Sequence, residues 1–245
     1  MMKVDFEFFS KTWKNEFYYN DFLYKYFESK VEKLPYLQLH FDMITKNSLG
    51  FGEKAFRYFW YLILDEIKST RNDCKFLEIG VYKGSILSLA TLIGDNIGLD
   101  VSTFGVTPLN STGDKYSQYP ECDYFDAIWN TFKRFGLSTH KLEIIKGLST
   151  DADVIGKVIA KGAYNVVYID GGHDYDTVTK DINLAHVVLC PGGYMVLDDS
   201  SWLLKIGTFQ GHYEVSRAAM DFFTSNEDYR HLFACGHNRV WQKVR

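Results

Sequence analysis

The chain has 245 residues, 46% of them hydrophobic and 24% charged, enough for one sizeable core or one core with a helical appendage. A formal net charge of −4 and a pI near 6.0 supply no basic field of the kind that binds a phosphate backbone, so nucleic acid is not an expected partner. The longest apolar run, Tyr58 to Leu64, is far too short to span a bilayer, so no membrane partner is expected.

The first residues mix Lys3, Asp5, Glu7, Lys11 and Lys14 with aromatics, which differs from the uninterrupted apolar core of a signal peptide. Cys74, Cys122, Cys190 and Cys235 are scattered without a C-x-x-C pair, as expected for reduced thiols in a cytoplasmic protein. From the start to about Ser69 apolar residues recur every three and four positions, clearest in Phe56, Phe59, Trp60, Ile63, Leu64 and Ile67. These are helices with one buried face, broken at Leu34-Pro35 and between Asn47 and Gly52. The stripe is expected to pack on the rest of the molecule or on a second copy of the chain, which suits a homodimer. The expected division is a helical extension over residues 1–70 and a ligand-binding domain over 71–245.

After Arg71-Asn72-Asp73 the pattern becomes strand, helix, strand, helix. Strands are predicted at Lys75 to Gly80, Thr103 to Thr107, Lys141 to Lys146, Tyr164 to Asp170 and Gly193 to Asp198, each short and apolar as in a buried parallel sheet. Helices are predicted near Ser85 to Leu92, Tyr124 to Phe135, Asp153 to Ala160, Tyr175 to Leu189 and Val215 to Phe223. His231 to Cys235 and Arg239 to Val244, joined by Gly236-His237-Asn238, read as a closing hairpin. The fold class is therefore α/β, a doubly wound and mostly parallel sheet with an antiparallel C-terminal hairpin. Between Pro108 and Tyr124 the sequence has no period, so a long loop should rise from the second strand and cover a substrate.

The first strand ends Glu78-Ile79-Gly80-Val81-Tyr82-Lys83-Gly84-Ser85. Its glycines let main chain approach a ligand, and the following helix aims free N–H groups at the same spot. Ligands of such sheets collect at the carboxyl ends of strands. The polar residues there are Glu78, Thr107, Ser149, Asp170 with His173, and Asp198 with Asp199. If the first, fourth and fifth strands are neighbours, three carboxylates and an imidazole converge on an acidic, hydroxyl-activating rim.

Three segments in this order, Phe76 to Ser85, Tyr168-Ile169-Asp170-Gly171-Gly172-His173-Asp174-Tyr175 and Pro191-Gly192-Gly193-Tyr194-Met195-Val196-Leu197-Asp198-Asp199, carry a resemblance. Over roughly Phe76 to Val244 the chain resembles class I S-adenosylmethionine-dependent methyltransferases, in the branch of macrocin-type sugar O-methyltransferases and cephalosporin hydroxylase-like proteins. The resemblance implies a Rossmann-like seven-stranded fold and O-methylation of a polar small molecule such as a sugar, sugar nucleotide, polysaccharide precursor or phosphorylated metabolite. It implies that Glu78, Gly80 and Gly84 shape the pocket for the methionine part of S-adenosylmethionine, with Tyr82 and Ser85 on its lip and Ser149 in the adenine turn. Thr107 falls where the family usually has a ribose-binding acid. Asp170, Asp198 and Asp199 match carboxylates that hold a divalent cation such as Mg2+ in the sugar-modifying members. Gly172 replaces a frequent second aspartate, which leaves His173 as the general base; Asp170 joins it in catalysis. Two other readings compete. A nicotinamide dehydrogenase would want G-x-G-x-x-G, but Tyr82 holds the middle glycine position. A methyltransferase-like binding module without turnover would explain Thr107 and Gly172. His212, near Phe209-Gln210-Gly211, is a further candidate substrate contact.

Overall fold

The computed structural model describes residues 16–202 and 210–245; the leader charges at positions 3 to 14 and Phe209 lie outside the described residues. Three helices come first, α1 (Glu16–Val31), α2 (Pro35–Lys46) and α3 (Lys54–Lys68). Then follow β1 (Asp73–Ile79), α4 (Ser85–Ile97), β2 (Asp100–Thr107), α5 (Tyr124–Arg134), β3 (Leu142–Lys146), α6 (Ala152–Ala160), β4 (Tyr164–Ile169), α7 (Tyr175–Val188) and β5 (Leu189–Leu197). Helix α8 (Tyr213–Phe223) and the hairpin β6 (Tyr229–Cys235) and β7 (Asn238–Lys243) complete the chain.

The strands form one seven-stranded sheet in the order β3-β2-β1-β4-β5-β7-β6. Strands β1 to β5 run parallel, while β7 lies antiparallel to both β5 and β6. The order reverses between β1 and β4, and that switch point opens a crevice at their carboxyl ends.

Side-chain alternation divides the core into two layers. Phe76, Val166, Tyr168, Tyr194 and Val196 face the layer of α1, α3, α4 and α5. Leu77, Ile79, Val167, Ile169, Met195 and Leu197 face α6, α7 and α8. On α3 the predicted stripe is buried throughout: Phe56, Phe59, Trp60, Ile63, Leu64 and Ile67 are each at most 5% exposed. Trp60 meets Phe76 and Tyr168 edge-on at 5.1 Å, and Phe27 of α1 meets Phe233 of β6. The N-terminal helices thus share the sheet's own core, each large side chain contributing roughly 1.5–3 kcal/mol by burial.

Two boundaries depart from the pattern. Helix α4 continues to Ile97 because nothing interrupts it before Gly98, whose left-handed φ of 70° stops it. Strand β5 begins at Leu189, paired with Tyr164, and then bulges through Pro191 and Gly192 before rejoining β4 at Tyr194. Proline cannot donate to the ladder, so a strand carrying it reads as two pieces.

Candidate active site

Main chain builds the floor of the site. Gly80 leaves β1 at φ 100°, and a Cβ there would stand 1.9 Å from the Asp170 carbonyl oxygen. Its N–H donates to Val106 O, and the Asp170 N–H donates to Ile79 O, so the ends of β1, β2 and β4 are stitched at this bend. Above it lies a cavity of about 230 Å3. Gly80, Tyr82, Thr107, Ser149, Asp170 and His173 all line it, six of the residues singled out in the sequence.

The remaining candidates stand behind or beside it. Glu78 is 3% exposed, cross-strand from Gly105 and Tyr168, and does not line the cavity. Burial pushes its carboxyl up to about 8, against a backbone hydrogen bond from Leu87 that favours the charged form. Gly84, at φ 77°, opens α4 against Ile128, and Ser85 packs beside the Gly50 backbone. Thr107 accepts the Leu109 N–H at 3.2 Å. Ser149 lines the cavity, and Asp181 of α7 is a buried carboxyl that desolvation pushes up to about 7.

One wall is aromatic and one is charged. Tyr82 sits 5.0 Å from Phe51, 5.4 Å from Tyr119 and 5.7 Å from Tyr124. Opposite, the long loop between β2 and α5 reaches over the cavity with Asn110, Thr112, Gly113, Asp114 and Tyr119 in its lining. Asp114 accepts from both the backbone N–H and Nδ1 of His173, at 3.1 and 2.6 Å. On its other side Nε2 of His173 lies 3.1 Å from Asp199 Oδ2, which is also 3.4 Å from Nε2 of His212. Burial works to lower the His173 pKa, but hydrogen bonds to Asp199 and Asp114 outweigh it and lift it to about 9. His212 stays below the usual histidine range, chiefly through burial, and stacks on Tyr116 at 4.1 Å.

Asp199 is held in an unusual backbone conformation, with φ at 51° in a non-glycine residue, a strain typical of functional positions. Gly211 makes this feasible: it bridges Ser200, and a Cβ on it would lie 2.2 Å from the Asp199 carbonyl. The His212 N–H then donates to Asp199 O at 2.8 Å, which fixes the histidine beside the carboxylate.

Beneath this rim Asp170, partly buried, is pushed well above the carboxylate range by desolvation and by Asp198. Burial opposes ionisation of Asp198 too, but the His237 imidazole beside it holds its carboxyl below the usual range. Asp170 also accepts from the Tyr168 hydroxyl at 3.2 Å. Among the described residues, the groups of three or more ligand atoms within 4.8 Å of one another are His173, Asp199, His212 and Asp198, Asp199, His237. Asp170 belongs to neither. Asp114 and His237 carry no local signal in the sequence, since each meets the site only through a long-range contact.

A glycine-floored cavity at the switch point, flanked by carboxylates and imidazoles, has the lining for a nucleoside-like ligand. A family model described as a methyltransferase domain matches residues 77–200. The chain is 30% identical over 144 residues to an uncharacterized protein of Acanthamoeba polyphaga mimivirus, covering 56% of this chain and 57% of that protein. It thus spans little more than half the length of that curated relative. Among solved structures it is similar to an O-methyltransferase from Bacillus cereus in complex with SAH, at 13% identity and a TM-score of 0.58, covering 89% of this chain and 96% of that one. It is also similar to the MycE methyltransferase of the mycinamycin biosynthetic pathway in complex with Mg and SAH, at 16% identity and a TM-score of 0.54, covering 85% of this chain and 55% of that one. No helix among the described residues is long and apolar enough to cross a membrane. With just over half of its residues matched, the chain belongs to the methyltransferase-domain family, and its fold is that of the class I S-adenosylmethionine-dependent enzymes.

Proposed function

We propose that the protein methylates a hydroxyl oxygen of a polar small molecule, a sugar, sugar nucleotide, polysaccharide precursor or phosphorylated metabolite, with S-adenosylmethionine as donor. The observation that carries this reading is the juxtaposition of the Gly80 bend with His173 in one cavity. When bound, S-adenosylmethionine supplies an electrophilic methyl on a sulfonium sulfur. The backbone at Gly80 and the rings of Tyr82 and Tyr119 would enclose it, and Thr107 would meet its ribose with a hydroxyl in place of the acid usual in the family. Ser149, in the turn after β3, would meet the adenine.

Methyl transfer is an in-line displacement, so the protein's task is to hold the acceptor oxygen near attack distance and to receive its proton. His173 is the candidate acceptor of that proton. The two carboxylates that clamp it fix the ring and make its unprotonated form a stronger base than a free imidazole. Asp170, lining the cavity, would hydrogen-bond the acceptor or the cofactor. The polar rim favours a hydrophilic acceptor over a lipid, and structural similarity to methyltransferases solved with SAH supports the donor.

Isothermal titration with S-adenosylmethionine and with NAD+ tests the donor directly. Binding of the former alone is expected; no binding of it overturns the reading. A screen for S-adenosylhomocysteine release against sugar and sugar-phosphate acceptors then identifies the acceptor.

A further inference from the structure

We propose that the groove between α1, the α2–α3 connection and the β1–α4 turn binds an acceptor sugar that carries an oxyanion, a phosphate or a carboxylate, with Arg57 as the buried cation of the site. The inference rests on the methyltransferase reading for calling this ligand the acceptor. The groove encloses about 800 Å3 and shares Tyr82 with the cofactor cavity. Glu53, also in its lining, lies 4.0 Å from Nδ1 of His237, whose Nε2 is 3.3 Å from Asp198 Oδ1. The groove therefore borders both the cofactor floor and the acidic rim, where a molecule lying in it can present a hydroxyl.

A buried charge marks the place. Arg57 of α3 is 1% exposed, and its Nε and Nη2 have no hydrogen-bond partner. Its Nη1 donates to Gly52 O at 2.8 Å and to Glu53 O at 2.7 Å, which sets the guanidinium directly behind the groove wall. The guanidinium carbon lies 5.0 Å from the centroid of the Phe41 ring, another part of that wall. Gly52 puts no side chain in the way: a Cβ on this exposed residue would stand 3.3 Å from Nη1. Burial lowers the Arg57 pKa only to about 10, so the charge persists at neutral pH. The titratable groups that interact with it are Tyr168, Tyr24 and His40. Burial keeps both hydroxyls protonated and the imidazole neutral, so none of them offsets the cation. A buried guanidinium without a counter-charge is costly, and an oxyanion brought in by a ligand would relieve that cost.

The rest of the lining suits a sugar bearing such a group. Two more cations line the groove: Lys83, whose Nζ lies over the Tyr82 ring at 4.8 Å and donates to Ser48 O, and Lys54, which pairs with Glu32 at 2.7 Å. Glu28 and Glu53 are its acids, and Glu53 is turned toward His237. Carboxylates of this kind accept hydrogen bonds from sugar hydroxyls. Phe51, 70% exposed, stands 5.0 Å from Tyr82, and these rings offer the apolar face of a sugar something to pack on. Four charged side chains in the lining make the groove a poor seat for a lipid.

The test is calorimetry on the full chain with matched neutral and charged sugars: glucose against glucose 1-phosphate, N-acetylglucosamine against its 1-phosphate, and glucose against glucuronate. At least one charged sugar should bind about tenfold or more tightly than its neutral partner, the strength of a charge-assisted contact, and the arm that shows it distinguishes phosphate from carboxylate. Arg57→Met should reduce that preference to about twofold or less, with unchanged circular dichroism; a loss of packing alone would weaken both members of a pair equally. If Arg57→Met misfolds, Lys83→Glu reads the same site from its rim: it should weaken the charged sugar about fivefold or more and leave the neutral one unchanged. Equal affinity within every pair overturns the assignment, as does the absence of binding by all the charged sugars, or a preference that survives both substitutions. S-adenosylhomocysteine titrated separately keeps the two proposals apart: failure there sinks the donor, not the anion groove.

Discussion

At the carboxyl end of β1 the chain presents backbone, and at the carboxyl end of β5 it presents side chains. Gly80 turns within van der Waals reach of the Asp170 main chain, and the space above it exists because no Cβ is there. Asp198 and Asp199 instead face histidines drawn from three other segments: the exit of β4, the start of α8 and the β6–β7 turn. A surface of backbone amides and glycine can only bind. A surface of paired acids and imidazoles can also move protons and attract cations, but it needs support from every element around it. The two ends should therefore fail differently when altered.

Gly80→Ala should do the most damage. The new methyl would collide with Asp170, and a φ of 100° adds strain of about 1–3 kcal/mol. Binding of S-adenosylmethionine should be abolished in calorimetry, with a lowered midpoint of denaturant unfolding; retained affinity would show that the bend is not the cofactor floor. His173→Ala acts at the other end. Turnover should fall by about 10²–10⁴, the usual contribution of general acid–base catalysis, while cofactor affinity stays within a few-fold. Equal turnover would discard His173 as the base.

The contrast between the ends also governs how much of each is legible in the sequence. The bend, the five parallel strands and the hairpin rest on local signals: glycine spacing, short apolar runs and turn residues. The buried stripe of α3 is equally plain, because period alone fixes which face is apolar. Asp114 is not, since it reaches His173 across 59 positions of chain from a loop without period. His237 reads as turn filler until the antiparallel pairing of β7 with β5 sets it beside Asp198. Asp170 and Asp198 match a ligand pair by motif, but their packing together pushes Asp170 up while His237 holds Asp198 down, a property of packing and not of sequence.

Glu78 lies at the backbone end yet carries a charge problem, and pH exposes it. Its raised folded pKa means that the fold accommodates the neutral acid, so its contribution is complete below the unfolded value near 4.5 and is lost as pH rises through about 8. Each pH unit between the unfolded and folded values is worth about 1.4 kcal/mol, so wild type should lose a few kcal/mol relative to Glu78→Gln between roughly pH 5 and pH 8. Parallel denaturation curves at those two pH values check this. An equal change in both proteins would mean that Glu78 is charged and solvated in the fold.

The smallest effect is expected where the two ends meet. Thr107 lines the cavity and also accepts the N–H of Leu109, a residue with φ at 57° at the root of the long loop. Left-handed backbone is unfavourable for leucine, so this hydroxyl helps to hold the loop in the course that brings Asp114 to His173. Thr107→Val keeps the shape and removes the oxygen, at a cost of roughly 0.5–1.5 kcal/mol, or up to about tenfold in cofactor affinity. Two readouts separate its roles. If the hydroxyl serves mainly the ribose, affinity for S-adenosylhomocysteine falls while hydrogen-exchange protection of residues 108–123 stays constant in the ligand-free protein. If it serves mainly the loop, protection falls first, and turnover drops with it because Asp114 no longer clamps His173. Loss of both would show that the cofactor floor and the proton-handling rim are coupled through one hydroxyl, and loss of neither would place Thr107 outside the working site.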